Sequence, residues 1–341
     1  MRTVGSDITD AIAAGFGNPL LDLDIGGVDY TSRIISYEYH VEPYRGRCVL
    51  VLANSDRALE SANLQGKTMT LSVGYGTDVE ALPTLYVKSW SRISSEGKLV
   101  VIIEAEGTWN KLREHKFITT SEAPYFNIPF TSILTIFELI ELALNEIGAT
   151  LTADSSELDG IINTFKPVVT INPLQFESPA AIIYRMLGMT KCYLRDDGGD
   201  NFTVIFPQEA DAVVLTYTNP KDYVEKTNLL IPNHIVVFCN KAPVPDENGN
   251  YWDVEGYTLV TGHARDPDQF TGETYDGNYE EIIEYHIAPF IIVESDATNR
   301  AEAILSRYRS ENLAGRLVLP FCDPQPELYD RVKILDGRGV S

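Results

Sequence analysis

Cysteine and tryptophan are scarce in this chain of 341 residues, which has four of the first and three of the second. The cysteines are Cys48, Cys192, Cys239 and Cys322. They lie far apart and include no C-x-x-C pair, so they predict neither a zinc site nor a disulfide framework. We expect each of them to be a small buried apolar residue.

Cations are also in short supply, since Lys and Arg total 27 against 49 Asp and Glu, which gives a formal charge of −22. A nucleic-acid-binding surface needs clustered cations, so this balance argues against sequence-specific nucleic-acid binding. No stretch approaches the ~20 apolar residues of a membrane span, and Met1–Asp10 lacks the apolar run of a signal peptide. We therefore expect a soluble, unprocessed protein from a reducing compartment.

Catalytic signatures are missing as well. The sequence has no H-E-x-x-H, G-x-S-x-G or P-loop motif, and Gly74-Tyr75-Gly76 lacks the third glycine of a dinucleotide-binding fingerprint. The five histidines are isolated in sequence and are predicted to be structural rather than metal ligands. They are His40, His115, His234, His263 and His286. We therefore predict no enzyme, no catalytic, metal-binding or cofactor-binding residues, and no cofactor.

Two acidic, glycine-containing segments raise the question of calcium binding. They are Asp196–Asp200 and Asp246–Asn250. Neither has the bidentate Glu that closes an EF-hand loop, whereas turns between strands use the same residues for positive φ angles and side-chain-to-backbone hydrogen bonds. Both segments are therefore predicted to be β-turns.

What the sequence does have is apolar content and alternation. Hydrophobic residues make up 44% of the chain, enough for two or three domains with cores. Strand-like runs follow one another over the first hundred residues, and Ile35, Tyr37, Tyr39 and Val41 are predicted to share one strand face. The runs are 33–41, 47–53, 68–75, 85–93 and 98–106. We predict an N-terminal arm over residues 1–19 and a first β-barrel over 20–116.

The pattern becomes helical after residue 116. Apolar residues recur at helical spacing from Ile133 to Ile147, with Thr131 or Ser132 as the expected cap and Gly148 as the expected end. A second helix is predicted to start after Ser178, which precedes a proline, and to stop at Gly188. Strands over 191–195 and 201–206 follow. These features predict a small mixed α/β module over residues 117–208.

The remaining chain is predicted to be a second β-barrel, over residues 209–341, braced by a helix from Asp296 to about Ser310. Its strands are expected at 213–218, 234–239, 256–261, 281–287, 316–321 and 330–336. The buried stripe of the helix is expected to contain Ala297, Ala301, Ile304, Leu305 and Tyr308. Three arginines are expected to lie largely outside that stripe, namely Arg300, Arg307 and Arg309.

Three stretches, taken in order along the chain, resemble the tail hub proteins of phages and related contractile injection machines, a family that includes the N-terminal half of type VI secretion spike proteins. They are the strands and helix start within 85–112, the helix with its cap at 178–187, and the helix 301–308 followed by 326–334. The individual motifs are short, and their order over nearly the whole chain carries the resemblance.

The resemblance implies an α+β, mainly β fold with two tail-tube-like antiparallel β-barrels and an inserted small α/β module. It further implies a homotrimer at the tail tip of the virion, assembled in the host cytoplasm. Such a ring joins the sixfold tail tube to the threefold tip and surrounds the DNA exit channel. Its expected partners are a tail tube or distal tail protein, a spike or fibre protein, and the tape-measure protein in the lumen. The family offers no catalytic residues.

Several alternatives stay open at this point. The aromatic and acidic region Tyr251–Tyr279 also suits a glycan-binding or cell-wall-degrading tail-tip protein. An isolated β-rich cytosolic enzyme is the third possibility, although no motif supports it. The acidic excess has two interpretations, because it can line a pore through which DNA slides or can simply keep the protein soluble. The chain ends just after the last expected barrel strand, so we expect no spike, peptidase or lysozyme domain.

Overall fold

The computed structural model describes most of the chain. The described residues are 1–15, 17–95, 97–116, 129–130, 134–153, 161–167, 169–170, 177–208, 210–218, 220–227, 231–240, 259–288, 294–311 and 313–335. Strands predominate over helices in these ranges, as the sequence predicts. The domain boundaries stay predictions.

The N-terminal region is a seven-stranded antiparallel sheet flanked by two helices. Its elements are α1 (Ser6–Ala14), β1 (Pro19–Ile25), β2 (Ile34–Glu42), β3 (Arg45–Ala53), β4 (Thr68–Tyr75), β5 (Asp78–Ala81), β6 (Leu85–Ser95), β7 (Lys98–Glu106) and α2 (Thr108–Glu114). The strand order is β1-β4-β6-β7-β3-β2, with β5 paired to β4. All five strand-like runs predicted in this region are strands.

Alternation along β3 and β7 builds the core of this sheet. Leu50, Leu52 and Ile103 are fully buried on its inner face, where alternate residues of neighbouring strands meet. The adjacent strand β2 departs from the predicted alternation. A β-bulge between Ile34 and Ser36 shifts the register, so Ile34 packs on the core while Ile35 is 57% exposed.

The prediction for the β2 face is therefore partly wrong. Tyr37 and Tyr39 do pack on the core, but Val41, next to the β2–β3 hairpin, is 41% exposed.

The middle region is an α/β module with its own core. Its elements are β8 (Pro129–Phe130), α3 (Ile136–Asn145), β9 (Thr150–Ala153), α4 (Ile161–Thr164), β10 (Val169–Thr170), α5 (Pro179–Leu187), β11 (Tyr193–Gly198) and β12 (Asn201–Ile205). Strand β12 lies between β11, which is antiparallel to it, and β9, which is parallel. Buried Leu139, Ile140, Ile183 and Met186 fill the space between the helices.

The ends of the two main helices show which capping predictions succeed. Helix α5 begins after Ser178, whose hydroxyl accepts a hydrogen bond from the Ala181 amide, and ends at Gly188, as predicted. Helix α3 begins later than predicted. Its cap is Thr135, which forms a reciprocal capping box with Glu138, and the predicted caps at 131 and 132 lie outside the described residues.

The C-terminal region contains shorter ladders and one long helix. Its elements are β13 (Leu215–Thr218), β14 (Asp222–Thr227), β15 (His234–Asn240), β16 (Leu259–Arg265), β17 (Phe270–Thr271), β18 (Thr274–Tyr275), β19 (Ile283–Ile287), α6 (Glu294–Glu311), β20 (Leu313–Val318) and β21 (Val332–Leu335). The ladder order β16-β15-β19 is one unit, and β13–β21, β14–β20 and β17–β18 are pairs. The β15–β19 and β13–β21 pairings are parallel, which the antiparallel prediction missed.

Closure of either barrel is not seen among the described residues, where the first sheet runs from β1 to β2 and the C-terminal strands form separate ladders. The mainly β fold is thus established, and the two closed barrels stay predictions.

Helix α6 packs tightly on the β15–β16 ladder, as expected for a bracing helix. Ala297 and Ala301 of this helix are fully buried against the ladder. The close approach depends on Gly262 of β16, where an added Cβ would lie 2.0 Å from the Ala297 backbone carbon. Leu305 is 6% exposed, whereas Ile304 is only partly buried.

Three of the four cysteines are buried, as predicted, and Cys322 corrects the prediction because it is exposed. The turn predicted at Asp246–Asn250 lies outside the described residues, as do Tyr251 and Trp252 of the region proposed for sugar binding. Among the helices of the described ranges, none combines the length and apolarity needed to cross a membrane.

Candidate functional site

The turn between β11 and β12 holds the modules together. Its residues Gly198, Gly199 and Asp200 have positive φ angles of 85°, 62° and 65°, so the predicted turn is confirmed. The contact of this turn with the first sheet was not predicted. An added Cβ at Gly198 would lie 2.6 Å from the Thr84 amide nitrogen, which shows how closely the turn approaches the first sheet.

Asp200 anchors this turn to α2 and to β6. Its carboxylate oxygens lie 3.0 Å from Lys111 Nζ, and they accept hydrogen bonds from Tyr86 (2.8 Å) and Thr108 (2.9 Å). The Lys111 ammonium also lies 3.4 Å from the centroid of the Tyr86 ring, at cation–π distance. Partial burial opposes ionisation of Asp200, but these donors hold its pKa below the usual value.

Asp196 lies at the start of α2, although it belongs to a different module. Its carboxylate accepts a hydrogen bond from the Gly198 amide at 2.9 Å, and the backbone N–H groups of Thr108 and Trp109, in the first turn of α2, favour its charged form. An added Cβ at Gly107 would lie 2.9 Å from Asp196 Oδ2, which shows how closely this carboxylate approaches the start of α2. Burial raises the pKa of Asp196 to about 6, although the neighbouring backbone N–H groups favour the charged form.

The N-terminal residues and the segment Cys322–Asp330 meet at the same place. The amino group of Met1 lies 2.9 Å from Glu327 and 3.2 Å from Asp330. Arg195 reaches Glu327 at 3.5 Å from the other side. Burial opposes ionisation of Glu327, but the amino group and the arginine hold its pKa below the usual value.

Helix α1 completes this closure, since its Ile8 is fully buried and packs with Tyr75 of β4. The Tyr75 hydroxyl donates to the Cys322 carbonyl at 3.1 Å and accepts from the Cys322 amide at 2.9 Å. The predicted N-terminal arm is thus a folded element that ties the first sheet to the C-terminal segment. We call this contact region the joint. It consists of the β11–β12 turn with Asp196 and Asp200, the N-terminal residues, and the segment around Glu327.

Helix α6 is tied to the α/β module through arginines predicted to lie outside its buried stripe. Arg307 donates to the carbonyl oxygens of Leu187 (2.8 Å) and Cys192 (2.7 Å), and Arg300 donates to that of Gly188 at 2.5 Å. The carbonyls of Leu187 and Gly188 lie at the C-terminal end of α5, where cations are favourable to the helix dipole. The prediction for Arg300 and Arg307 is therefore wrong, because tertiary packing turns both toward α5.

A cavity of about 350 Å³ lies within the joint. Its walls include Tyr37, Tyr39, Arg195, Asp196 and Asp323. The ionisable walls already have protein partners, since Arg195 pairs with Asp197 at 2.6 Å and Asp323 accepts a hydrogen bond from Tyr217 at 2.7 Å. The arrangement stabilises the contact between the modules.

Two of the five histidines, all predicted to be isolated, are brought together. His234 Nε2 lies 3.0 Å from His263 Nδ1 across the β15–β16 ladder, and His234 Nδ1 lies 2.6 Å from Glu281. Sequence alternation could have suggested this only if the strand register were known. In the described ranges, no group of three or more His, Cys, Asp or Glu side chains is arranged to hold a metal ion.

Comparison with known proteins places the fold. No protein-family model and no curated protein sequence matches the chain. The 43 kDa tail protein of prophage MuSo2 from Shewanella oneidensis superimposes with a TM-score of 0.62 at 14% identity, covering 94% of this chain and 90% of its own. The chain has the fold of a phage tail protein.

A tail protein from Neisseria meningitidis MC58 agrees equally well, with a TM-score of 0.62 at 11% identity over 95% of this chain and 88% of that one. A type VI secretion component of E. coli, c3393, matches at a TM-score of 0.34 over 62% of this chain, which is too low to support an argument. The resemblance to phage tail proteins expected from the sequence is thus confirmed in the fold.

Proposed function

We propose that this chain is a structural protein of a phage tail and acts as its hub, joining the tail tube to the tail tip. The observation that carries the proposal is the agreement of nearly the whole chain, 94–95%, with two proteins described as tail proteins, each itself covered to 88% or more. A shared module alone would cover only part of each chain.

The joint supports a mechanical role. The β11–β12 turn, the chain's N-terminus and the segment around Glu327 form charged contacts between residues far apart in sequence. Partly buried, charge-assisted hydrogen bonds of this kind are stronger than neutral ones and geometrically specific. Such contacts restrain the modules relative to one another, which suits a connector between a tail tube and a tail tip.

In the proposed assembly, three copies form a ring around the DNA exit channel at the tail tip of the virion. A tail tube or distal tail protein lies on one side and a spike or fibre protein on the other, with the tape-measure protein passing through the lumen. The formal charge of −22 suits an acidic channel wall, because such a wall repels DNA phosphates over about 8 Å at physiological ionic strength.

Imaging of assembled tails tests the proposal. Particles carrying a short affinity tag on this chain, labelled and averaged by electron microscopy, should show three copies at the tip. A single copy per tail, a sixfold ring, or absence of the chain from purified tails would contradict the hub assignment. Binding or turnover of cell-wall fragments by the purified protein would favour the glycan-binding alternative.

A further inference from the structure

The buried ring of His234, on β15, is contacted by three other parts of the C-terminal region. His234 is 6% exposed. Its Nε2 atom lies 3.0 Å from Nδ1 of His263 on β16, and its Nδ1 atom lies 2.6 Å from the carboxylate of Glu281, which precedes β19. The ring of Phe270 on β17 packs edge-on against it, with 5.9 Å between centroids. A titratable ring therefore lies where these elements meet.

The contacts restrict which ring nitrogens carry protons. An ionised carboxylate only accepts hydrogen bonds, so His234 Nδ1 donates to Glu281. The hydrogen bond between the two rings needs one N–H and one lone pair, so either His234 Nε2 or His263 Nδ1 carries a proton, but not both. The intact pair therefore accepts at most one proton beyond the state in which both rings are neutral.

A second added proton is incompatible with this geometry. It would place two N–H groups face to face at the 3.0 Å that separates the nitrogens, and both rings would be positively charged. The two rings differ in their freedom to respond. His234 is buried and bonded to Glu281, whereas His263 is exposed and is free to turn toward solvent. The second proton therefore breaks the contact by turning His263 outward.

The other groups around the pair do not compensate for this repulsion. Partial burial has the largest effect, and together with the other ring and with Arg265 of β16 it holds the pKa of His263 below its usual value. Two acids act in the opposite direction, namely Glu273 between β17 and β18 and Glu294 of α6. Strand β19 contributes the uncharged Ile283, which is paired with His234 in the ladder.

Neighbouring contacts that do not titrate limit the size of the change. Asn233, next to His234, is 2% exposed. Its side chain accepts a hydrogen bond from the Ile282 amide at 2.8 Å and donates to Gln269 at 2.9 Å. These bonds attach the connection between β16 and β19 to β15 at any pH, so loss of the histidine contact loosens this region without releasing it.

We propose that His234 and His263 form an acid-sensitive contact, which loosens the β16-β15-β19 ladder when the pair takes up its second added proton. In the unfolded chain the two rings are independent and take up two protons as the pH falls through about 6.5. The intact folded pair takes up one. The unfolded state therefore binds more protons at low pH, so the stabilisation is fully present at neutral pH and decreases as the pH falls below this value.

The expected loss is limited because His263 turns to solvent once the contact breaks. It should amount to about one hydrogen bond, which is about a five- to tenfold change in the unfolding equilibrium constant. The test compares urea denaturation of the full chain and of His263→Gln at pH 7 and pH 5, followed by circular dichroism. Glutamine can donate to or accept from His234 but does not titrate.

Between pH 7 and pH 5, the unfolding equilibrium constant of the wild type should rise about five- to tenfold more than that of His263→Gln. Other titrating groups, including Asp196, are common to both proteins and cancel in this comparison. The matched control is His40→Gln. His40 is an exposed histidine of β2 that lies 3.7 Å from Glu38, and its replacement should leave the pH dependence of the wild type unchanged.

NMR titration of ¹⁵N-labelled histidine side chains measures the proton uptake directly and needs no variant. The resonances of His234 and His263 should shift together in two steps, the second at least about one pH unit below the first. Independent titration of both rings near pH 6.5 would overturn the proposal, as would equal pH dependence of the wild type and His263→Gln. If His263→Gln fails to fold, the titration of the wild type decides the question.

Discussion

The raised pKa of Asp196 makes the stability of the joint depend on pH, and the substitution Asp196→Asn should remove that dependence. The folded-state pKa is about 6, against an ordinary value of 3.8. Between these values the folded protein binds a proton that the unfolded chain has lost. The wild-type stability therefore falls as the pH rises through this window. Asparagine keeps the oxygen that accepts from the Gly198 amide but does not titrate.

The expected change in stability follows from the shift in the pKa of Asp196. About two pKa units correspond to about 3 kcal/mol at 1.36 kcal/mol per unit, and the full difference is reached near pH 7. The free energy of unfolding of the variant minus that of the wild type should therefore increase by on the order of 3 kcal/mol from pH 4 to pH 7. The measurement is urea denaturation at several pH values, followed by tryptophan fluorescence, because Trp109 lies in the first turn of α2, close to Asp196.

Asp7→Asn is the control, because its effect has the opposite sign and a different pH window. The backbone N–H and the hydroxyl of Thr77 donate to the Asp7 carboxylate and hold its pKa below 3.8. Its contribution is thus fully present above pH 4 and is lost at lower pH. The Asp7→Asn difference should be constant from pH 5 to pH 7. A flat difference for Asp196→Asn over pH 4–7 would refute the explanation from burial.

Three further substitutions test the packing. Gly262→Ala should destabilise the C-terminal unit by about 3 kcal/mol or more, because backbone atoms of α6 block the new methyl group; an unchanged melting temperature would contradict that packing. In urea denaturation, Leu305→Ala should lower the free energy of unfolding by about 2–5 kcal/mol. Ile304→Ala, at a partly buried position, should lower it by about 1–2 kcal/mol. A larger loss for Ile304→Ala than for Leu305→Ala would contradict this orientation of the helix. Asp200→Asn, which keeps a residue tolerant of positive φ, should lower stability by about 1–3 kcal/mol by leaving Lys111 without its carboxylate, and combination with Lys111→Met should recover part of the loss.

Local sequence signals determined much of the secondary structure. Burial alternates with period two along β3 and β7, and short runs rich in β-branched residues predict strands without reference to the rest of the fold. The start of α5 was equally local, because a serine followed by proline satisfies the first amides of a helix wherever it occurs. The order of these elements also sufficed for the resemblance to phage tail proteins.

Predictions that depend on the exact register of a strand or the exact start of a helix were less accurate. The bulge at Ile34–Ser36 reverses which isoleucine is buried, and periodicity cannot show a bulge because both isoleucines fit the pattern. The cap of α3 was placed too early for a similar reason. Several Thr and Ser residues precede the helix, and the reciprocal contact between Thr135 and Glu138 decides among them.

The contacts that form the joint could be known only from the tertiary structure. Asp196 and Asp200 have the residue types of an ordinary turn, and their roles depend on Lys111, Tyr86 and α2, which approach from about 90 to 115 residues away in sequence. Arg307 likewise looked like a solvated residue of α6 until α5 was placed beside it. Local propensity acts over a few residues through backbone sterics and neighbouring side chains. Charge partners across a fold are fixed by the register and packing of whole elements, which no short stretch of sequence encodes.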